Sequence, residues 1–116
     1  MKFMITFTHV EGAWEGLSDE ERQSHNRWLA KFMQDLKQEK NAELVFLAPP
    51  AETRTVRQHA DTGMEIINGP AFPGPEFLGG YYLIEAQDLE EAIRWAERGR
   101  ILPGSNEVRQ IMDITF

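Results

Sequence analysis

NGPAFPGPEFLGGYYLIE, residues Asn68 to Glu85, sets three prolines and four glycines ahead of the apolar run Tyr81-Tyr82-Leu83-Ile84. Pro70, Pro73 and Pro75 lack amide donors and fix φ, which excludes residues 69–78 from an ordinary helix or an interior strand and predicts a shaped loop. Gly79 and Gly80 permit close backbone approach. The run that follows is rich in aromatic and branched residues and reads as a strand from Gly80 to Ala86. A stiff loop feeding a buried strand can build one wall of a pocket.

On the amino-terminal side, Lys2 to Thr8 alternates Phe3, Ile5 and Phe7 with Lys2, Met4 and Thr6, the period of a half-buried strand, and His9 closes it. Ser18-Asp19-Glu20-Glu21 is a capping box that starts a helix running to about Lys40. Leu29, Phe32, Met33 and Leu36 form its core-facing stripe, and His25, four residues before Leu29, points the same way. Glu43 to Ala48 predicts a second strand, ended by Pro49-Pro50. Thr53 to His59 and Met64 to Asn68 predict a β-hairpin whose loop residue Gly63 takes the positive φ that a short turn demands.

Beyond the organising stretch, Asp88 with Glu91 caps a second helix. Leu89, Ala92, Ile93 and Ala96 make its stripe, with Trp95 off that stripe and available for packing between subunits. Arg94 and Arg98 suit the carboxyl end of the dipole, and Gly99 stops the helix. Glu107 to Ile114 alternates as a last strand. The order is β-α-β, an inserted hairpin, then β-α-β, which predicts an α+β, ferredoxin-like split βαβ fold with two helices on one face of an antiparallel sheet. The other face needs a cover. A second copy supplies it in a two-fold homodimer; the alternative is a face left wet.

The 116 residues suit one domain. A hydrophobic fraction of 41% with 27% charged residues places the chain among globular proteins. With no cysteine there is neither a disulfide framework nor a thiolate nucleophile or metal ligand. The apolar run Phe3 to Phe7 falls far short of the roughly 20 residues that span a membrane, so a soluble, cytoplasmic chain is expected, with no membrane partner. A net charge of −7 without a compensating Lys/Arg patch repels phosphate backbones and argues against nucleic acid.

Taken together, several short motifs resemble the YCII-related proteins, and within them the branch named for its Asp-Gly-Pro-Phe (DGPF) motif. They are Phe3 to Phe7; Leu47-Ala48-Pro49-Pro50 with Thr55-Val56-Arg57; Asn68-Gly69-Pro70; Glu76 with Leu78-Gly79-Gly80-Tyr81-Tyr82-Leu83-Ile84; Leu89-Glu90-Glu91-Ala92-Ile93 with Trp95-Ala96; and Gly104 with Glu107-Val108-Arg109. The resemblance implies a dimeric α+β barrel of ferredoxin-like subunits with a cleft between sheet, helix and loop. It also implies kinship with lyases or isomerases of cyclic or aromatic-derived compounds, in which a helix histidine works with an aspartate. His25 matches that histidine, and its acidic partner has no counterpart. Asn68, Ala71 and Pro75 depart from the branch's usual aspartate, phenylalanine and lysine, and an amide at position 68 cannot act as a base.

Among candidate site residues His25 leads: on an apolar helical face it is either a proton-transfer group or a satisfied, half-buried side chain. His9 and His59 end two strands, and the three histidines match no zinc spacing, so neither metal nor cofactor is expected. Arg57 and Arg109 offer planar forks for a carboxylate, or pair with neighbours such as Glu65 and Glu107. Asn68 and Glu76 bracket the proline loop and either orient a ligand or shape a turn. Of Tyr81 and Tyr82, on opposite strand faces, one belongs to the core and the other to a pocket or subunit seam; Tyr82 joins the ligand-binding candidates. The resulting expectation is a small-molecule-binding homodimer that takes a small acidic or cyclic organic compound near residues 68–78, with His25 as catalyst and Asp61 or Glu76 assisting. The alternative is a non-catalytic protein-interaction or regulatory ligand-binding module.

Overall fold

The computed structural model describes residues 1–115. The elements follow in the order β1 (Lys2–Val10), α1 (Asp19–Lys40), β2 (Val45–Phe46), a 3-10 turn (Pro50–Glu52), β3 (Arg54–His59), β4 (Gly63–Asn68), β5 (Glu76–Glu85), α2 (Leu89–Arg98) and β6 (Val108–Gln110). One antiparallel sheet has the order β2-β5-β1-β6, and β3 pairs with β4 in a separate two-stranded sheet. This is the ferredoxin-like α+β arrangement that the element order predicts. Among the described residues no helix is long and apolar enough to cross a membrane.

Period two in β1 and β5 decides where the core sits. Phe3, Ile5 and Phe7 stand opposite Ile84, Tyr82 and Gly80, and the side chains among these pack with Phe32 and Leu36 of α1 and with Ala92, Trp95 and Ala96 of α2. Each large apolar side chain so buried contributes about 1.5–3 kcal/mol. Both helices therefore cover one sheet face. The opposite face carries Met4, Thr6 and Tyr81, half-buried, and the exposed Leu83.

Both helix starts form as the sequence predicts. The Glu21 amide donates to Ser18 Oγ at 3.1 Å while Glu21 Oε1 accepts from the Ser18 amide at 2.9 Å, and the Glu91 amide donates to Asp88 Oδ1 at 2.8 Å. Lys40 Nζ donates to Glu91 Oε1 at 2.6 Å and ties the helices together.

Three strand limits and one helix face differ from expectation. β5 begins at Glu76, inside the stretch read as loop. The Pro75 carbonyl, just before the strand, accepts from the Glu11 amide, and a bulge at Gly79, opposite Phe7 and Thr8, absorbs the offset so that pairing reaches Val10 and Glu76. β2 and β6 are shorter than predicted, two and three residues. In α2 the buried stripe is Ala92, Trp95 and Ala96, whereas Leu89 and Ile93 are exposed. Trp95 is thus core, 5% exposed, tilted against Phe32 with the Arg98 guanidinium 4.1 Å above its ring. Two alanines beside it let a ten-residue helix settle close to the sheet, a gain that alternation of larger residues does not reveal.

The hairpin bonds to the proline stretch. Thr55 Oγ1 donates to the Gly69 carbonyl at 2.8 Å and Arg57 Nη2 to the Ala71 carbonyl at 3.0 Å. Its other face presents Val56, Met64 and Ile66, 65%, 75% and 73% exposed.

A β-carbon at Gly80 would overlap the Val45 carbonyl oxygen and the Phe7 ring. Gly80→Ala should therefore destabilise the fold by about 2 kcal/mol through overpacking, measured by urea denaturation; a loss under about 0.5 kcal/mol would show that β2 is not seated against this glycine.

Candidate functional site

The end of β1 and the turn after it shape a cleft of about 590 Å³. The Ala13 amide donates to the Val10 carbonyl, and Gly12 takes a φ of 83° that suits glycine. Arg22 of α1 then fastens the turn, donating from Nε to the Trp14 carbonyl at 3.1 Å and from Nη2 to the Glu15 carbonyl at 2.8 Å. Trp14, His9 and His25 line one side, with Pro49 and Pro50 beyond them, and Gly74 and Phe77 of the proline stretch line another. A hollow does lie beside residues 68–78.

His25 sits in an aromatic box. Its ring centre is 5.4 Å from that of Trp14 and 5.2 Å from that of Trp28. Nδ1 is buried and has no hydrogen-bond partner. Such atoms are rare in native proteins and mark places where something else binds or reacts. Burial lowers the His25 pKa, so the neutral ring is favoured.

His9 completes the pair. Its ring lies 5.7 and 5.8 Å from those of Phe7 and Phe77, and close against Gly79, where any β-carbon would overlap the imidazole. Burial lowers its pKa first, then the Arg100 charge, then that of His25. Arg100 itself is saturated: it donates to Asn106 Oδ1 and to the carbonyls of Leu102, Pro103, Thr8 and Ser105 at 2.8–3.2 Å. It fastens residues 102–106 to β1 and lends the cleft a field without spare donors.

Behind the histidines lies a niche of about 70 Å³. Trp28, Leu29, Leu44, Phe46 and Ile101 wall it, and His9, His25 and Leu102 line both it and the larger cleft. Tyr82 reaches this niche from the core, 2% exposed, its hydroxyl 3.5 Å from the Trp95 carbonyl. Burial pushes its phenol far above the ordinary range.

The other candidates stand elsewhere. Glu76 is exposed and accepts from Thr8 Oγ1 at 2.6 Å. Thr8 and His9 are consecutive in β1 and point to opposite faces, so Glu76 lies across the sheet from the histidines, in a second cleft of about 750 Å³ with Thr6, Ser105 and Glu107. Hydrogen bonds to Ser105 and Thr8, with the Arg100 charge, hold its carboxyl below the usual range. Arg57 bonds the Ala71 carbonyl, while Glu65 pairs with His59 at 2.7 Å, so the predicted Arg57–Glu65 pair does not form. Asn68 is exposed at the end of β4, Asp61 in the hairpin turn, and Arg109 on β6 opposite Met4. Of the candidates, His25 and Tyr82 come together. The sequence reading passed over His9 and Arg100 as site groups; the signal available was the glycine pair, which had no visible partner until β1 and β5 were in register.

The YCII-related domain family matches residues 1–115. No curated protein matches the chain.

Both lowered histidines should titrate below the free value of ~6.5 when followed by NMR of their ring protons. Because the folded state favours the neutral rings, the stability they contribute is full above that value and is lost as pH falls through it toward the folded-state values. Gly79→Ala should expel the His9 ring and return its titration toward the free value. An unmoved titration would mean that the ring does not rest on this glycine.

Proposed function

We propose, from the premise that the chain belongs to the YCII-related family, that it is a cytoplasmic, one-domain, homodimeric protein whose cleft binds a small acidic or cyclic organic compound, with His25 as its proton-transfer group. The motif set, Asn68-Gly69-Pro70 included, supports a place in the DGPF branch and the dimeric α+β barrel superfamily. The observation that carries the reading is His25 Nδ1, buried and unpartnered on a residue that lines the cleft with Gly74 and Phe77. A neutral imidazole with an unused nitrogen can take a proton from carbon next to a carbonyl. Returning that proton to another atom is isomerisation; expelling a leaving group from the resulting carbanion is a lyase step.

The dimer reading rests on the sheet face away from the helices, where Met4, Tyr81 and Leu83 lie, and on Val56, Met64 and Ile66 of the hairpin. Apolar surface of this kind is usually covered, and a second copy is the occupant proposed. The same patch supports the second reading, a non-catalytic interaction module. The two differ at His25, which only the first requires.

Two measurements test this. His25→Gln should weaken binding of small organic acids at least tenfold with the thermal midpoint nearly unchanged; a large midpoint loss with binding intact would return His25 to a packing role. In sedimentation at micromolar concentration the chain should run at twice its 13.4 kDa mass, and Ile66→Asp with Leu83→Asp should yield a folded monomer. A wild-type monomer would overturn the assembly.

A further inference from the structure

The large cleft and the niche share His9, His25 and Leu102, so the two histidines stand where a roomy space meets a much smaller, mostly apolar one. We infer that the ligand is a monoanion with a short branched apolar end, its carboxylate or enolate held between His9 and His25 and its apolar end in the niche. This rests on the cleft being the binding site, as proposed above, and specifies what the site selects.

The niche fixes one end. Beyond the histidines and the fully bonded Arg100 its walls are mostly hydrocarbon and aromatic, and its volume of about 70 Å³ is about half the ~150 Å³ cavity that accepts benzene. That size favours an isopropyl-sized group over a phenyl ring. A charged group would lose its hydration there without a hydrogen-bond donor to replace it, since all five donors of Arg100, which also lines the niche, are bonded to protein acceptors.

The junction fixes the other end. The two imidazoles supply the N–H groups there, and the nearest permanent charge on the 99–106 segment is Arg100, whose donors are spent on five acceptors but whose field remains. A cation would meet that field. A second anionic charge, barred from the niche, would have to face Glu11 and Glu15, which line the larger cleft. One negative charge at the histidines is the arrangement that avoids both.

Proton uptake follows. Empty, the rings are held neutral by burial, with Arg100 adding to this at His9. Glu11 and Glu15 from the β1–α1 turn act in the opposite sense, and Arg22 on α1 is engaged with that turn. An anion between the rings favours the charged form, so affinity rises as pH falls from 8 to 6 and binding draws a proton from buffer.

The test is isothermal titration calorimetry of the full chain with isovalerate, benzoate and succinate, each at pH 6 and 8 in two buffers of different ionisation enthalpy. Isovalerate should bind at least tenfold tighter at pH 6 than at pH 8, with net proton uptake, and at least tenfold tighter than succinate or benzoate at pH 6. His9→Gln, checked for folding by circular dichroism, should remove most of the proton uptake. Equal binding of the three acids, isovalerate binding without proton uptake, or no binding of isovalerate would each overturn the inference. The underlying cleft reading fails separately, if no compound in a broader set of neutral and acidic cyclic molecules shifts the His25 ring resonances.

Discussion

Two adjacent glycines in β5 impose the constraint from which both sheet and site follow. At Gly80 the absent side chain lets the Val45 carbonyl and the Phe7 ring close on the strand, which seats the two-residue β2 on an edge where its own ladder is short. At Gly79, the bulged residue beside it, the same absence leaves room for the His9 ring. A glycine in a strand weakens it and needs a reason; here there are two, one in packing and one in the cleft. The register skips Gly79 between the Phe7–Gly80 and Thr8–Leu78 pairs, so a bulge interrupts the alternation here and turns both glycines toward the neighbouring rings of Phe7 and His9.

Much of the fold was legible because it is written locally. The capping box at Ser18, the Asp88 cap, the positive φ of Gly63 and the alternation of Phe3, Ile5 and Phe7 each need only near neighbours, and each appears where the sequence puts it. Limits set by pairing were less legible. β6 ends at Gln110 although alternation continues, and β5 reaches back to Glu76 because a bulge at its own Gly79 lets it go on pairing with Thr8 to Val10. The Trp95 error has the same root: the face a helix buries is decided by how close its small residues let it come, a property of the packed pair and not of the helix.

The site was legible in one residue and not in its surroundings. His25 stands out by its place on a helical stripe, but Trp14, His9 and Leu102 come from separated parts of the chain. Arg57 and Arg109 look like carboxylate ligands by type, since a strand guanidinium presents a fork wherever it points. The Ala71 carbonyl takes up Arg57, and β6 carries Arg109 away from the histidines. Residue type told what each group can do; only the register told which groups meet.

The arginine that lines the niche behind the cleft explains why histidines, and not a guanidinium, would hold an anion there. A permanent cation in a niche lined by Phe7, Trp28 and Phe46 is costly to desolvate unless every donor is met. Arg100 meets this requirement with five acceptors, and in doing so has none of its bonded donors left for a ligand. Imidazole escapes the conflict: neutral in the empty cleft, it adds no uncompensated charge to the aromatic walls, and it becomes a cation when an anion arrives to compensate it. An aromatic cavity that must stay stable when empty and hold negative charge when filled is therefore better served by two titrating rings beside a saturated arginine than by the free guanidinium forks that the sequence first suggests.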